Sequence, residues 1–378
     1  MKKIASLVCI LVLSFILCGC ELEHKKAAER TKTADFSSVT DLSENFNNSY
    51  IFYESFAAGN DIIFYTVTGS KSSYLYAYYN NEKYMLLSDS SLNDMTISNT
   101  YCMSGDSIYF DAVSNEYDNY KCYIYRYNLP EKQCSKVFAK ENIENWTVVG
   151  KYIVYMTYYN EKSGFYSLYC YNTETKKEQY ICNEVEAFGI TNGSLRFISY
   201  DGKNYSLSEY DFEKRTSESI TQFDGYSIKE SVQYNFTENS IIMVPDTQNY
   251  HSEKSEYRVV DINTGKFSTY SLPYGLISFT AGKDYAYAMC QPDINAEYDL
   301  KDYGIFSDNA YDIYKVNLKN GKYELLDIAS SDYTSLYVVN DEVLYILNSK
   351  EKIGGFIYEV NKYSASDNSN KKVFEYKY

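Results

Sequence analysis

The feature of the sequence that most constrains its fold is a short apolar motif that occurs seven times. Each copy follows a tight turn, and the copies are centred on Ile63, Ile108, Ile153, Leu195, Ile241, Ala286 and Leu344. The spacings between these centres are 45, 45, 42, 46, 45 and 58 residues. A recurrence of this length indicates a repeat architecture in which each repeat is one supersecondary unit.

A second motif follows each copy of the first and ends, in most copies, in Asn or Asp. It begins at residues 75, 124, 168, 207, 257, 313 and 357. The fifth repeat shows the whole unit, with strands expected at 232–236, 241–244, 257–260 and 267–272 and turn residues between them. No long helical period interrupts the repeats, which excludes a parallel βαβ architecture. The sequence therefore predicts an all-β, seven-bladed β-propeller of four-stranded antiparallel blades over residues 49–378.

Six or eight blades, or an array of β-sandwiches, are the alternatives to seven blades. The two motifs resemble those of TolB-like and low-density-lipoprotein-receptor-like propellers on secreted bacterial lipoproteins, as in the copies IYRYN at 124–128 and IYEVN at 357–361. This resemblance implies an architecture and a surface location, and it implies no activity. The single tryptophan, Trp146, is not followed by Asp, so the pattern does not match WD40 repeats. For ring closure, we expect the C-terminal strand near 372–376 to meet a strand near 50–55.

The N-terminus predicts export and lipidation. A basic start at residues 1–3 precedes an apolar run at 4–19, which as a helix would reach about 24 Å and fall short of the roughly 30 Å hydrocarbon core. Leu17, Gly19 and Cys20 resemble the lipobox of a bacterial lipoprotein precursor, which implies lipidation of Cys20 and cleavage before it. An ordinary signal peptide cleaved elsewhere is the alternative. We therefore expect a signal peptide at 1–19, a lipidated polar tether at 20–48, and an extracytoplasmic protein anchored to the cell membrane.

Charge and composition exclude several classes of function. The formal net charge is −15, so a surface for nucleic acid is not expected, because phosphate neutralisation needs clustered Lys and Arg. Only two histidines occur, His24 and His251, which excludes a three-His zinc site. No nucleophile-elbow motif is present. We expect no metal, no cofactor and no catalytic constellation, hence a protein that is not an enzyme.

The candidate ligand-binding residues lie in the connections between the second and third strands of repeats five and six. These connections are long, and in propellers such loops share one face of the disc. Aromatic rings beside carboxylates suit sugar rings or basic peptides. The expected contacts are Tyr250, His251, Asp293, Glu297, Tyr298 and Tyr303. The alternative is that the longer loop is a surface insertion without a role, because long insertions cost little stability.

Carboxylate and amide side chains at alternate positions of the sixth-repeat loop resemble the start of a calcium loop. Asp293, Asn295, Glu297 and Asp299 form this series. Tyr298 stands where an EF-hand requires Gly, and no Glu completes the spacing, so a solvated acidic loop is favoured over a calcium site.

Two classes of function remain open from the sequence. The first is a non-catalytic binding or scaffolding lipoprotein that captures a glycan, a peptide or an envelope protein. The second is a surface hydrolase that acts on extracellular polysaccharide through loop carboxylates of repeats five and six, which would need two carboxyl groups about 5 to 9 Å apart.

Tyrosines and cysteines are expected to have structural roles. Tyrosines in strands should pack on one blade face, as in the alternating series Tyr74, Tyr76, Tyr78 and Tyr123, Tyr125, Tyr127. Six cysteines follow Cys20, and free thiols are expected. Cys170 and Cys182 lie nearly opposite each other, but their expected register is off by about two residues for a disulfide.

Overall fold

A computed structural model describes Phe36 and residues 56–59, 62–68, 72–92, 95–114, 121–158, 165–223, 232–245, 254–273, 275–291, 311–330, 334–352 and 355–377. These residues form antiparallel β-strands joined by turns, with one 3-10 helix at Asp89–Leu92. Within the described ranges there is no helix with the length and hydropathy needed to span a bilayer.

The described strands fall into units of four consecutive strands. The strands of the first four units are β1 (Phe56–Gly59), β2 (Ile62–Thr68), β3 (Ser73–Tyr79), β4 (Glu82–Ser88), β5 (Met95–Ser104), β6 (Ser107–Ser114), β7 (Lys121–Asn128), β8 (Gln133–Glu141), β9 (Ile143–Val149), β10 (Tyr152–Tyr158), β11 (Tyr166–Asn172), β12 (Lys177–Thr191), β13 (Ser194–Tyr200), β14 (Tyr205–Asp211) and β15 (Thr216–Phe223). The remaining strands are β16 (Val232–Phe236), β17 (Ser240–Pro245), β18 (Lys254–Asp261), β19 (Phe267–Pro273), β20 (Leu276–Ala281), β21 (Tyr285–Cys290), β22 (Asp312–Asn317), β23 (Tyr323–Leu325), β24 (Thr334–Asn340), β25 (Val343–Lys352), β26 (Gly355–Ser364) and β27 (Ser369–Lys377).

Each unit is an antiparallel sheet in which the strands lie in chain order. We number the units as unit 1 (β1–β4), unit 2 (β5–β8), unit 3 (β9–β12), unit 4 (β12–β15), unit 5 (β16–β19), unit 6 (β20–β23) and unit 7 (β24–β27). Units 3 and 4 share β12 and so form one seven-stranded sheet. The two halves of β12 are separated by a bulge near Val185 and by the positive φ of Glu184, which let one strand end a unit and begin the next.

The strand positions predicted from the repeats are confirmed. The seven motif centres from Ile63 to Leu344 all lie in the second strand of their unit, and each is at most 1% exposed. The second motif forms the third strand in every unit. In the fifth unit, β16 to β19 coincide with the four expected strands to within a few residues at each end. The fold is therefore all-β, as the periodicity predicted.

The Asn or Asp that ends the second motif caps the turn between the third and fourth strands. The carboxylate of Asp211 accepts the backbone N–H groups of Glu213 and Lys214, both at 2.9 Å. The N–H of Arg215 then donates to the carbonyl oxygen of Asp211 at 2.8 Å, and Arg215 has a φ of +59°. Equivalent capping bonds occur at Asn128, Asn172, Asp261 and Asn317. The motif thus ends in Asn or Asp because these side chains accept turn N–H groups.

The core consists of apolar clusters between the faces of consecutive units, and this confirms the packing role of the strand tyrosines. In the cluster between units 1 and 2, Tyr125 and Tyr127 are buried and Tyr123 packs beside them. Further clusters join units 2 and 3, 3 and 4, 4 and 5, 5 and 6, and 6 and 7. A last one joins unit 7 to unit 1. Among the described residues, each unit therefore packs on two neighbours, including the first and the last.

Unit 7 meets unit 1 through aromatic rings. The Phe374 ring centroid lies 4.3 Å from that of Tyr78, and the Tyr376 centroid lies 4.5 Å from that of Tyr65. The Tyr78 hydroxyl donates to the carbonyl oxygen of Val373 at 3.1 Å. No pairing of backbone strands joins these two units in the described ranges. The C-terminal strand therefore packs on β2 and β3, whereas the expected partner strand near 50–55 lies outside the described residues.

Polar contacts between turns also link neighbouring units. The Asp341 carboxylate of unit 7 accepts the backbone N–H groups of Asp284 and Tyr285 in unit 6, at 3.0 and 3.1 Å. The guanidinium of Arg196 in unit 4 donates to the carbonyl oxygens of Thr237 and Glu238 in unit 5, at 3.2 and 2.9 Å. These bonds satisfy turn backbone groups that the sheets leave unpaired.

The cysteines in the described ranges are free, as expected. Cys170 is paired with Gln179 across the β11–β12 hairpin, and Cys182 is paired with Leu168, so the two thiols are two residues out of register. Burial raises the pKa of the Cys170 thiol to about 11, which keeps it protonated and unreactive at neutral pH.

Phe36 lies within the segment predicted to be a polar tether and is buried against unit 1. Its side chain is 3% exposed, and its ring centroid is 5.9 Å from that of Tyr79 and 5.7 Å from that of Tyr84. One residue of the predicted tether thus belongs to the core between units 1 and 2.

Candidate functional site

The residues that the sequence nominated for function lie outside the described ranges. These are the lipidation candidate Cys20 and the ligand contacts Tyr250, His251, Asp293, Glu297, Tyr298 and Tyr303. The strand ends on either side are described. Pro245 and Cys290 end the second strands of units 5 and 6, and Lys254 and Asp312 begin the third strands. Both connections therefore leave their sheets at equivalent ends.

A shallow groove between the outer strands of units 2 and 3 is the candidate site in the described residues that is lined by the most charged side chains. Its volume is about 490 Å³. One wall is β8, the outer strand of unit 2, and the other is the β11–β12 hairpin of unit 3 with its turn. The lining residues of this β8–β12 groove are Lys136, Val137, Phe138, Ala139, Lys140, Tyr171, Lys176 and Glu178.

Aromatic side chains form the inner part of the groove. Phe138 is 7% exposed, and its ring centroid lies 5.1 Å from that of Tyr155 and 4.7 Å from that of Tyr171. Tyr171 is only half-buried, so part of its ring faces the groove. Outside the lining, two residues beyond Glu178 on β12, Tyr180 is 51% exposed and lies edge-on to Tyr169 with a centroid distance of 5.7 Å. Units 2 and 3 are thus in close contact at the buried Phe138, and the rings become more exposed at Tyr171 and Tyr180.

An ion pair connects the two walls of the groove. The Lys140 ammonium lies 2.8 and 3.1 Å from the two carboxylate oxygens of Glu178, and the Tyr155 hydroxyl donates to Oε2 of Glu178. Both charged side chains are more than a third exposed, so the pair contributes at most about 1 kcal/mol to stability.

The same contacts determine the charge of the Glu178 carboxylate. Partial burial would raise the pKa of Glu178, but the hydrogen bonds from Lys140 and Tyr155 and the Lys140 charge lower it on balance. The Tyr155 hydroxyl has a raised pKa because of burial and its bond to Glu178. The groove therefore presents a carboxylate, an ammonium group and a neutral phenol at neutral pH.

Lys176 adds a second cation at the end of the groove. It occupies the last position of the β11–β12 turn with a φ of +58°, and its N–H donates to the carbonyl oxygen of Asn172 at 2.9 Å. Units 5 and 6 carry Gly265 and Gly321 at this position. A Cβ at Gly265 would lie 2.4 Å from the Gln222 carbonyl oxygen, and one at Gly321 would lie 2.1 Å from the Tyr270 ring. Unit 3 instead accommodates a long basic side chain there.

The groove lies in a basic part of an acidic chain. Residues 121–178 contain nine Lys and Arg against six Asp and Glu, whereas the whole chain has 36 against 51. Sequence reasoning missed this site because it weighed only the total charge and the loop lengths. The local excess of Lys, with Lys136, Phe138 and Lys140 alternating in β8, is the signal that could have found it.

A second groove, of about 440 Å³, lies between units 4 and 5. It is lined by Asn204, Gln222, Phe223, Gly265, Lys266 and Phe267. The Arg258 guanidinium lies 4.8 Å from the Phe267 ring centroid beside it. Lys266 is its one charged lining residue, and no ion pair between described residues crosses it, so it offers fewer charged groups than the β8–β12 groove.

Two carboxyl groups have raised pKa values, that of the buried Asp111 and that of the half-buried Glu186, and they lie at different interfaces. Burial raises the pKa of Asp111, between units 2 and 3, to about 6, although hydrogen bonds from Ser98 and Thr100 lower it. Burial also raises the pKa of Glu186, which lies near Tyr205 and Tyr234 between units 4 and 5. Within the described ranges, no group of three or more His, Cys, Asp and Glu could hold a metal ion.

Comparisons with known proteins address the fold. No protein-family model matches the chain, and no curated protein matches it. Among solved structures, the β-propeller domain of the Trilobed protease from Pyrococcus furiosus matches with a TM-score of 0.54 at 12% identity, over 87% of this chain and 98% of that one. A prolyl endopeptidase matches with a TM-score of 0.58 at 9% identity, over 92% of this chain and 52% of that one. TolB from Acinetobacter baumannii matches at 11% identity, over 84% of this chain and 77% of that one, with a TM-score of 0.42.

The chain spans about half the length of the prolyl endopeptidase and nearly all of the Pyrococcus furiosus propeller domain. At such low identity the likeness concerns the fold alone. Together with the sheets described above, it shows that this chain has a β-propeller fold.

Proposed function

We propose that the chain is a lipid-anchored, extracytoplasmic β-propeller that binds an envelope or extracellular ligand without catalysis. The observation that carries this proposal is the β8–β12 groove, where the half-buried Tyr171 lies across from Glu178 of the Lys140–Glu178 pair. Such a surface suits recognition, because aromatic faces and paired charges fix a ligand by contact and hydrogen bonding. The carboxyl group of Asp111, by contrast, is buried.

The propeller is proposed to have seven blades, which are units 1 to 7. The support is the set of apolar clusters in which each unit packs on the next and unit 7 packs on unit 1. Closure then rests on side-chain packing of β27 against β2 and β3, without strand exchange. The matched domain of the Trilobed protease is described as having an open velcro topology, and the same arrangement is proposed for this chain.

The membrane location is proposed from Leu17, Gly19 and Cys20. The test is the substitution Cys20→Ala, followed by fractionation of cells that express the full chain. Loss of the protein from the membrane fraction is the expected result, because two or more acyl chains supply stable anchoring. Unchanged retention in the membrane pellet would contradict lipidation at Cys20.

The ligand, a glycan, peptide or envelope protein, is also proposed to contact the connections in units 5 and 6 through Tyr250, His251, Asp293, Glu297, Tyr298 and Tyr303. The test shortens residues 292–309 to a four-residue turn and compares the folded variant with the parent in a screen of envelope glycans and peptides. Loss of at least one parental ligand supports the proposal. Equal binding of every parental ligand would exclude this loop.

A further inference from the structure

We propose that the β8–β12 groove binds an acidic oligosaccharide, with sugar rings against Tyr171 in the groove and Tyr180 beside it, and a sugar carboxylate at Lys176. This inference rests on the proposed binding function and names the ligand class of that site. It concerns units 2 and 3, and it is independent of the loops of units 5 and 6.

The ring faces of the groove supply the contact area. Tyr171 is fixed from behind by Phe138 at a centroid distance of 4.7 Å, and Tyr180 is held edge-on by Tyr169 at 5.7 Å. Both rings are therefore oriented before any ligand binds, which lowers the entropy lost on binding. Tyr180 is 51% exposed, and such an exposed ring on an outer strand offers the C–H face of a sugar a flat apolar surface.

The ion pair supplies hydrogen bonds for sugar hydroxyls. Two carboxylate oxygens can accept about four hydrogen bonds. Lys140 donates to both oxygens of Glu178, and Tyr155 donates to Oε2, so Oε1 retains capacity for one more donor. The pair is more than one third exposed, and the Lys140 ammonium lies 5.9 and 5.8 Å from the ring centroids of Tyr155 and Tyr169. A hydroxyl in the groove can thus donate to Glu178 at a fixed position.

The charge of the groove selects an acidic sugar. Glu178 neutralises Lys140, while the Lys136 ammonium lies over the Tyr123 ring at 5.3 Å. Lys176 makes no ion pair with any residue of the described ranges, so its charge is available to a ligand carboxylate. The rest of the chain is strongly acidic and repels polyanions, whereas residues 121–178 carry an excess of three positive charges. An acidic glycan would therefore be directed to this groove.

The experiment is calorimetric titration of the full chain in detergent with tetragalacturonate, and with cellotetraose as the neutral probe. We expect tetragalacturonate to bind at least about fivefold more tightly than cellotetraose, the size of one partly exposed ion pair. Its affinity should fall as salt rises from about 50 to 300 mM, because the Debye length shortens. Failure to bind tetragalacturonate, or equal affinity for both probes, would overturn the proposal.

Two pairs of substitutions locate the site. Lys176→Gln should weaken tetragalacturonate binding about fivefold, whereas Lys132→Gln, at the equivalent turn position of unit 2, should have no effect. Tyr180→Ala should weaken binding about tenfold, whereas Tyr323→Ala, an outer-strand Tyr of unit 6 that is 46% exposed, should not. Equal losses within either pair would overturn the assignment to this groove. If the groove fails these tests while the 292–309 variant still loses a ligand, only this inference is wrong and the proposed binding function stands.

Discussion

Replacing Phe374 by Ala should separate unit 7 from unit 1 at their interface while the other units remain folded. Phe374 is 6% exposed, and its ring centroid lies 4.3 Å from Tyr78 and 5.1 Å from Tyr65 in unit 1. Removing a buried Phe of this kind costs about 3–5 kcal/mol. Units 7 and 1 are joined in the described ranges by side-chain contacts alone, so this loss falls on the contact between these two units.

Phe138→Ala is the matched control. Phe138 is 7% exposed, lies on the fourth strand of unit 2 and packs on Tyr155 and Tyr171 of unit 3, as Phe374 of unit 7 packs on unit 1. The two substitutions therefore remove similar packing, but the short connection from β8 to β9 tethers units 2 and 3 when their interface loosens.

Hydrogen exchange under native conditions distinguishes the two variants, because it reports local opening unit by unit. We expect Phe374→Ala to lose protection in β2, β3, β26 and β27 by about two orders of magnitude or more, since 3 kcal/mol corresponds to more than a hundredfold. Phe138→Ala should lose much less protection in β8 and β11. Equal losses at the two interfaces, or an unchanged β27 in Phe374→Ala, would refute closure by packing at this position.

Two further substitutions test the interior and a turn. Because burial raises the pKa of Asp111 to about 6 from an ordinary 3.8, its ionisation destabilises the folded state by about 3 kcal/mol above pH 6 and not at all below pH 4. The free energy of unfolding of Asp111→Asn, measured in urea, should therefore exceed that of the parent by more at pH 7.5 than at pH 4.5. A difference between variant and parent that does not change with pH would contradict this. Gly321→Ala should lose about 1–3 kcal/mol more than Gly193→Ala, because both glycines have positive φ but only a Cβ at Gly321 meets a ring, that of Tyr270. Equal melting temperatures for these two variants would argue against the close approach.

The sequence predicted the strands well because each strand is specified locally. Ile108, Ile153 and the other motif centres are buried between two sheets whatever the arrangement of neighbours, so apolar periodicity suffices to find them. The Asn and Asp that end the second motif act within their own turn, as Asp211 does, and are equally visible from the sequence.

Contacts between distant residues could not be predicted in the same way. Phe36 is one aromatic residue in a polar segment, and nothing around it indicates that it packs on Tyr79 and Tyr84. The shared strand β12 depends on a bulge and on one positive φ at Glu184, neither of which has a distinctive residue. The β8–β12 groove is formed by Lys140 and Glu178 from different units, 38 residues apart, so its geometry exists only once the two sheets face each other.

The closing contact between units 1 and 7 has a consequence for how the chain can be cut and rejoined. Each unit is built from one continuous stretch of chain, and no described strand is exchanged between the first and the last. The interface at Phe374 and Tyr65 thus resembles the others in its chemistry and differs mainly in lacking a peptide connection. Consider a circular permutant with new termini between Pro273 and Leu276 and with the original ends linked. In this permutant, units 5 and 6 would be the neighbours without a peptide connection, and units 7 and 1 would be connected by the linker. The order of the units around the ring, rather than the position of the chain ends, is then what the architecture requires.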